Sequence, residues 1–146
     1  MRSAECGVDA GRLDRKSAEH RQTERVMSYE NLKQRAKKFG LDVIRLVDAL
    51  PKDRTCNILG GQLLRSGTSV GANYRAASRA KSSADFISKL GNVEEEADES
   101  GFWLEMLVDA QKLEPAAAAP LIREAGELTA IAVSSINTAR KSGNRS

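Results

Sequence analysis

Residues 60–82, GGQLLRSGTSVGANYRAASRAKS, combine residue types that usually mark loops with the spacing of a helix. Gly, Ser, Thr and Asn are frequent, yet small and apolar residues recur at steps of four and three, which places them on one helical stripe. The stripe consists of Leu59, Leu63, Ser66, Val70, Asn73 and Ala77. The stretch therefore predicts a helix with small residues on its inner side, so that a neighbouring backbone can come close.

The same spacing continues on both sides of this stretch and predicts three further helices. The first segment has Leu32, Ala36, Phe39, Val43, Leu46 and Leu50, the third has Phe86, Leu90, Val93, Ala97, Ser100, Leu104, Leu107 and Gln111, and the fourth has Leu121, Ala125, Leu128, Ala132 and Ser135. No segment alternates with the period of two that a half-buried strand shows.

Breaks between the segments set the predicted helix ends. Pro51 ends the first helix, because proline disfavours helical geometry in the residue before it. Ser82 and Asp85 resemble an N-cap pair at the start of the third helix. Pro120 lies near the start of the fourth, where its missing N–H costs least. Four helices joined by short breaks predict an all-α, antiparallel up-down four-helix bundle.

Residues 1–27 differ from the rest of the chain. They show no sustained apolar period and mix charges of both signs, so they are not expected to bury enough surface to become ordered. Met27 is followed at once by the patterned segment. The sequence therefore predicts a disordered or extension segment at 1–27 and a bundle domain at 28–146.

Composition fits a globular protein that needs no membrane. The chain has 146 residues, a formal net charge of +3 and a hydrophobic fraction of 40%. No apolar run approaches the roughly 20 residues that cross a bilayer, and the N-terminus lacks the apolar core of a secretory signal. Cys6 and Cys56 form no metal-binding spacing, so reduced thiols and a cytoplasmic location are expected. The mild positive charge permits contact with nucleic acid but does not require it.

Residues that could carry catalysis are few. The only histidine, His20, lies in the predicted extension, and Cys56 has no histidine partner. Glu95, Glu96 and Glu99 are more typical of a solvated helix face than of a cation site. The glycines at 60 and 61 lack the Lys-Ser/Thr ending of a phosphate loop. The sequence therefore predicts a non-enzymatic protein with no metal and no cofactor.

Arginines lie on the outer side of the second predicted helix. At about 100° per residue, Arg54, Arg65 and Arg79 fall within about 40° of one another, opposite the stripe of small residues, and Arg75 lies slightly further round. One interpretation is that these four arginines contact phosphates of RNA or DNA with little sequence preference. The alternatives are a solvated charged face or a surface used only for self-assembly or partner docking. Arg65 in particular could equally be a structural partner of Glu99 or of an acidic residue of the next subunit.

The third predicted helix has the opposite charge and an apolar group outside its stripe. Glu94, Asp98, Glu105 and Asp109 form an acidic row. Outside the stripe lie the candidate oligomer-interface residues Glu99, Phe102, Trp103 and Met106. Aromatic residues and Met are enriched at protein interfaces, which favours a homo-oligomer, and a broad core face is the alternative. Arginines on one helix and carboxylates on another would also suit a head-to-tail contact between subunits.

The second helix also resembles a known family. Its pattern Gln62-x-x-Arg65-Ser66-x-x-Ser69-Val70-x-x-Asn73 is similar to the signature of bacterial four-helix-bundle proteins encoded within 23S rRNA intervening sequences. Supporting matches are Phe39, Pro51, Phe86, Leu90, Glu99 and Trp103, and the resemblance covers about residues 28–141. Many relatives continue after the Asn with Ile-Ala-Glu-Gly, whereas this chain has Tyr74, Arg75, Ala76 and Ala77. A role tied to that glutamate does not carry over.

The resemblance implies a four-helix bundle that assembles into a ring, typically a pentamer. The chain is similar also to accessory proteins of diversity-generating retroelements, which bind nucleic acid and a reverse transcriptase. The partners that the resemblance implies are therefore other copies of this chain, RNA or DNA, and a reverse transcriptase as a further candidate. For the intervening-sequence members themselves it implies no established biochemical activity.

Overall fold

A computed structural model describes residues 10–144, and their side chains except those of residues 10, 26 and 27. This part of the chain consists of four α-helices without a strand: α1 (Ala10–Asp48), α2 (Arg54–Ser78), α3 (Ser83–Asp109) and α4 (Pro115–Gly143). The predicted all-α class is confirmed for these residues, and the four helices are consistent with a helical bundle. None of the described helices is both long and apolar enough to span a membrane.

The chain divides into two compact units, residues 1–32 and residues 33–146. In the first unit, α1 includes residues 10–27, which the sequence predicted to be disordered or an extension. Side chains 11–25 are all exposed, and Leu13 retains 62% of its accessible surface. An i,i+4 contact between His20 and Glu24 lies on this exposed surface. The predicted boundary at residues 27/28 stays a prediction, and Cys6 lies outside the described residues.

Helix ends in the second unit follow local capping rules. The Asp53 carboxylate accepts a hydrogen bond from the Cys56 N–H (2.8 Å), and the Ser82 hydroxyl accepts one from the Asp85 N–H (3.0 Å), which confirms the N-cap predicted at Ser82. Helix α4 begins at Pro115 rather than close to Pro120, because proline at the first position gives up no hydrogen bond that the helix needs.

The core of the second unit consists largely of the predicted stripes. The stripe residues that are buried are Ala36, Phe39, Val43, Leu50, Leu63, Ser66, Val70, Ala77, Leu90, Val93, Ala97, Ser100, Leu104, Leu107, Leu121, Ala125, Leu128 and Ala132. Tyr74 is fully buried as well, and burial raises its pKa to about 12. Leu32, Leu46, Leu59, Asn73, Phe86 and Ser135 are half-buried, and Gln111 is the one stripe residue that is exposed. It is exposed, because α3 ends at Asp109 and Gln111 takes a left-handed conformation in the turn that follows (φ 59°).

Glycines let α1 and α2 pack closely. A Cβ atom on Gly67 would lie 2.9 Å from both Cγ atoms of Val43, and one on Gly71 would lie 3.4 Å from the Ala36 carbonyl oxygen. A Cβ on Gly40 would meet the Gly67 carbonyl oxygen at 3.4 Å. The close approach predicted from the small residues of α2 is therefore confirmed, and the neighbour that comes close is α1.

Candidate nucleic-acid and assembly surfaces

Arg65 joins α2 to α3 through an ion-pair cluster. Its Nη2 donates to Glu99 Oε1 at 2.6 Å, and its Nη1 lies 3.4 Å from both carboxylate oxygens of Glu96. The Trp103 indole Nε1 donates to the same Glu99 oxygen at 3.1 Å. We call these four residues the Arg65 cluster. The alternative that Arg65 is a structural partner of Glu99 is thereby confirmed within the chain.

Electrostatics in the Arg65 cluster favour its charged state. The Trp103 hydrogen bond, followed by the hydrogen bond and charge of Arg65, holds the pKa of Glu99 below its ordinary value of 4.5, against the opposing effect of burial. The hydrogen bond from Arg65 to Glu99 and the charges of both glutamates raise the pKa of the guanidinium. Arg65 is thus compensated by carboxylates of its own chain, so a phosphate would have to compete with them.

Small polar residues complete the contact between α2 and α3. The hydroxyls of Ser66 and Ser100 are both fully buried and lie 3.0 Å apart, and each also reaches a carbonyl of its own helix. Towards the end of α2, Asn73 Oδ1 accepts from Asn92 Nδ2 at 3.4 Å, and Asn73 Nδ2 donates to the Ser69 carbonyl at 2.9 Å. The partners that burial of Ser66 and Asn73 requires are therefore present.

Beyond the Arg65 cluster, a basic pocket lies between the end of α2 and the start of α3. This open pocket of about 720 Å³ is lined by Arg75, Arg79, Lys81 and Lys89, together with Ala72, Ala76 and Asp85. Within residues 10–144, none of the four basic side chains forms an ion pair. The one carboxylate, Asp85, accepts the Lys81 backbone N–H at 3.1 Å. The basic pocket therefore has an excess of uncompensated positive charge.

Helix dipoles explain only part of this charge. Arg75 lies in the last turn of α2, where a cation interacts favourably with the negative end of the dipole. Lys81 precedes the N-cap of α3, at the positive end of that helix, where a cation gains nothing from the dipole. The helix dipoles therefore account for Arg75 but not for Lys81.

The four predicted phosphate residues do not form one site. Arg54 is the first residue of α2, and Arg79 follows its last residue, so the length of the helix separates them. Arg65, between them, belongs to the Arg65 cluster. The structure brings together Arg75 and Arg79 and adds Lys81 and Lys89, which the helical projection of α2 alone could not find because they lie after that helix.

The predicted interface residues differ in their exposure: some belong to the contact between α2 and α3, and others project to solvent. Phe102 retains 51% of its accessible surface and Met106 retains 39%. Trp103 is half-buried and lies edge-on to Phe102, with ring centroids 5.0 Å apart. The alternative of a broad core face therefore fits Trp103 better than it fits Phe102 and Met106, which project to solvent.

A groove lies along the contact between α1 and α2. It has a volume of about 440 Å³, and we call it the α1–α2 groove. Its apolar and small lining residues are Ala36, Gly40, Leu41, Ile44, Gly71 and Ala72, and its polar ones are Lys33, Gln34, Lys37, Thr68 and Arg75. Leu41 is 43% exposed, which is unusual for a leucine beside a packed helix contact. Sequence reasoning missed this groove, because it depends on how two helices cross.

Cys56 is buried at the start of α2. Burial raises the pKa of its thiol, and the neighbouring Asp53 carboxylate adds to the effect. Asp53 in turn accepts a hydrogen bond from Lys112 Nζ at 3.0 Å. In the described residues, no group of three or more His, Cys, Asp or Glu side chains is arranged to hold a metal ion. The thiol is thus part of the helix packing.

The family signature lies on these surfaces. The model of the 23S rRNA-intervening sequence protein family matches residues 30–134, which include α2 and α3 completely. The chain belongs to this family. Of the signature residues of α2, Ser66 and Val70 are buried, and Arg65, Ser66 and Asn73 hydrogen-bond to residues of α3. Half of the six signature residues therefore contribute to the α2–α3 contact.

A solved structure of the family has the same fold. The chain is similar to a protein of unknown function from the S23 ribosomal protein family of Bacteroides thetaiotaomicron VPI-5482, with 31% sequence identity and a TM-score of 0.70. The match covers 75% of this chain and 97% of that chain. No curated protein matches this member of the intervening-sequence family.

Proposed function

We propose that this protein is a non-enzymatic accessory protein that binds RNA or DNA in the cytoplasm through phosphate contacts. The contacts are made by the basic pocket, with Arg54 as a more distant contributor. Little sequence preference is expected, because phosphate contacts position a protein without reading bases. A reverse transcriptase is a candidate protein partner, in line with the resemblance to retroelement accessory proteins.

The observation that carries this proposal is the lack of compensation in the basic pocket. Arg75, Arg79, Lys81 and Lys89 surround one cavity and form no ion pair among the described residues, whereas Arg65 on α2 is paired with Glu96 and Glu99. Repulsion between clustered cations is unfavourable, and phosphates of a nucleic acid relieve it while releasing counterions. The proposal therefore places the binding site at one end of the α2–α3 pair.

Assembly is the second part of the proposal. Contacts between Ser66 and Ser100 and between Asn73 and Asn92 run in opposite sequence order, which supports the predicted antiparallel up-down arrangement of α2 and α3. Exposure of Phe102 and Met106 supports a homo-oligomer. We infer a pentameric ring from the family resemblance, so that several basic pockets would face one nucleic acid.

A protein-interaction or structural module is the second candidate function. It is favoured by the same exposed Phe102 and Met106 and by the clear charge separation between α2, which contains no acidic residue, and α3, which is rich in Glu and Asp. In that case the basic pocket would be covered by another subunit or a partner protein. Exposure of the pocket in the oligomer decides between the two candidates.

Binding of a labelled RNA hairpin and a duplex DNA should be measured by fluorescence anisotropy over a range of salt concentrations. For the parent protein, log affinity should fall linearly with log salt, with a slope of roughly 0.9 for each phosphate contacted on duplex DNA. Arg79→Glu combined with Lys89→Glu should reduce the affinity at least 10-fold at low salt and lower the slope by roughly 2.

A control variant changes the net charge by the same amount as the pocket variant but at another surface. Arg123→Glu combined with Arg140→Glu alters two exposed arginines of α4 that form no ion pair among the described residues. This control should lose much less affinity than the pocket variant. Equal losses would show a non-specific effect of net charge. Absence of binding by the parent at low salt would favour the interaction-module function.

A further inference from the structure

The outer side of α3 is an acidic surface with two exposed apolar side chains. Its residues recur at steps of three and four and are all exposed: Glu95, Asp98, Phe102, Glu105, Met106 and Asp109. We call this the acidic α3 face. Glu99 and Trp103 border this face: Trp103 contacts Phe102 and, with Glu96 and Glu99, belongs to the Arg65 cluster, so these residues are already engaged with α2.

Charge excludes pairing of the acidic α3 face with itself. In a two-fold contact the same patch occurs on both sides, so carboxylates would face carboxylates. Juxtaposition of like charges at an interface costs several kcal/mol. A surface that is both apolar and basic is the best match for Phe102, Met106 and the carboxylates around them.

The α1–α2 groove has this composition. Its lining includes the apolar residues Leu41, Ile44 and Ala72 together with the basic residues Lys37 and Arg75. Lys37 and Arg75 are exposed and form no ion pair in the part of the chain that the structure describes. The groove is thus complementary to the acidic α3 face in both apolar character and charge.

The two surfaces of one molecule cannot meet each other. Arg65 and Asn73 contact α3 from one flank of α2, whereas Gly71 packs against Ala36 and Lys37 of α1 on the other flank. The acidic α3 face moreover lies opposite the buried residues of its own helix, such as Leu104. Any contact between the groove and this face must therefore involve two copies of the chain.

We propose that the acidic α3 face of one copy docks into the α1–α2 groove of the next copy. Phe102 and Met106 cover Leu41 and Ile44, and the surrounding carboxylates face Lys37 and Arg75. Because Arg75 lines both the groove and the basic pocket, the phosphate contacts of an assembled copy rest on Arg79, Lys81 and Lys89. The proposal rests on the homo-oligomer of the proposed function and adds the two surfaces that form it. Because the surfaces differ, the contact is head-to-tail, and it yields a ring if the rotation between copies closes.

Sedimentation velocity of the full chain tests this contact with one variant of each surface. Leu41→Glu places a charge in the groove, and Phe102→Ser removes the main apolar side chain of the face. The parent should sediment as an oligomer at micromolar concentration, and each variant alone as a monomer. An equimolar mixture should form a heterodimer and nothing larger, because one variant keeps an intact face and the other keeps an intact groove.

Matched controls alter exposed apolar residues elsewhere. Val133→Glu on α4 corresponds to Leu41→Glu, since the two side chains are 38% and 43% exposed, and Ile58→Ser on α2 corresponds to Phe102→Ser, at 55% and 51%. Both controls should assemble like the parent, and far-ultraviolet circular dichroism should show the same helical content for all variants. A monomeric parent, an oligomeric Leu41→Glu variant, dissociated controls or a mixture that stays monomeric would each overturn the proposal.

The result can be separated from that of nucleic-acid binding. Arg79→Glu with Lys89→Glu leaves the groove and the acidic α3 face unchanged, so this variant should assemble like the parent. If the parent assembles as described but binds no nucleic acid, the proposed binding function is wrong and the contact stands. If the parent binds nucleic acid but remains a monomer, the contact is wrong and the binding function stands.

Discussion

The two halves of α2 carry similar arginines in opposite surroundings. Arg65 meets Glu96, Glu99 and Trp103 of α3, whereas Arg75, roughly 15 Å further along the helix axis, lies in the basic pocket beside Lys89. The difference comes from α3, because its carboxylates lie opposite the middle of α2 and its lysine lies opposite the end. An arginine's role in this protein is therefore set by the partner helix.

The largest expected effect is a loss of stability when the packing in the middle of α2 is disturbed. Gly67→Ala places a methyl group against both Cγ atoms of Val43 at 2.9 Å, so rotation of the valine cannot relieve the contact. The variant should lose about 1–3 kcal/mol of unfolding free energy, as overpacked cores do. Chemical denaturation monitored by circular dichroism measures the loss.

Gly61→Ala is the matched control for this substitution. A Cβ on Gly61 has no neighbour within 4 Å, so alanine should stabilise the helix by about 0.5–1 kcal/mol through its higher helix propensity. Equal effects of the two substitutions would show that α1 and α2 do not pack as closely as the glycine contacts indicate.

The buried serine pair should contribute the next largest effect. Ser100→Ala leaves the Ser66 hydroxyl with the Leu63 carbonyl as its remaining partner and should cost about 1 kcal/mol of unfolding free energy. Ser88→Ala, at an exposed position of the same helix, should change stability by less than about 0.5 kcal/mol. A larger loss for Ser88→Ala than for Ser100→Ala would contradict the buried contact between α2 and α3.

The Arg65–Glu99 ion pair should contribute less to the free energy of unfolding than the packing around it. Arg65 is 52% exposed and Glu99 is 35% exposed, so solvent screens their attraction. A double-mutant cycle with Arg65→Gln and Glu99→Gln should give a coupling energy of about 0.2–1 kcal/mol. The same cycle with Arg75→Gln and Glu99→Gln should give no coupling, and an equal value would remove the difference between the two halves of α2.

Acid should weaken the Arg65–Glu99 ion pair in the middle of α2. Within the part of the chain that the structure describes, Arg75, near the end of α2, has no such pair to lose. The pKa of Glu99 lies below 4.5 in the folded protein, so its contribution to stability is complete above that value and is lost as the pH falls through the lower, folded-state pKa. The thermal midpoint of the parent should fall between pH 5 and pH 3. In the Glu99→Gln variant this fall should be smaller, by an amount equivalent to about a few tenths of a kcal/mol. An unchanged pH profile would show that Glu99 does not titrate with the fold.

Sequence alone determined the four helical segments after residue 27 and most of the core, but not the helical conformation of residues 10–27. The periodic stripes place apolar residues at steps of three and four, and burial of one stripe per helix is the main way in which such segments leave water. Positions such as Leu63, Val70, Leu90 and Leu104 were therefore predictable. Between Val70 and Ala77 the spacing allowed either Asn73 or Tyr74, and the prediction took Asn73, whereas the fully buried residue is Tyr74.

Tertiary structure decided the functions that the charged residues can have. A projection of α2 placed Arg54, Arg65, Arg75 and Arg79 on one side of the helix, but it carried no information about the residues opposite them. Packing of α3 against α2 compensated Arg65 and placed Lys89 beside Arg75 and Arg79, and the crossing of α1 and α2 created the α1–α2 groove. The apolar stripe of a helix can be read from that helix's own sequence, because it reflects which of its side chains are buried. Charge compensation and surface shape cannot, because they depend on two helices that are distant in sequence.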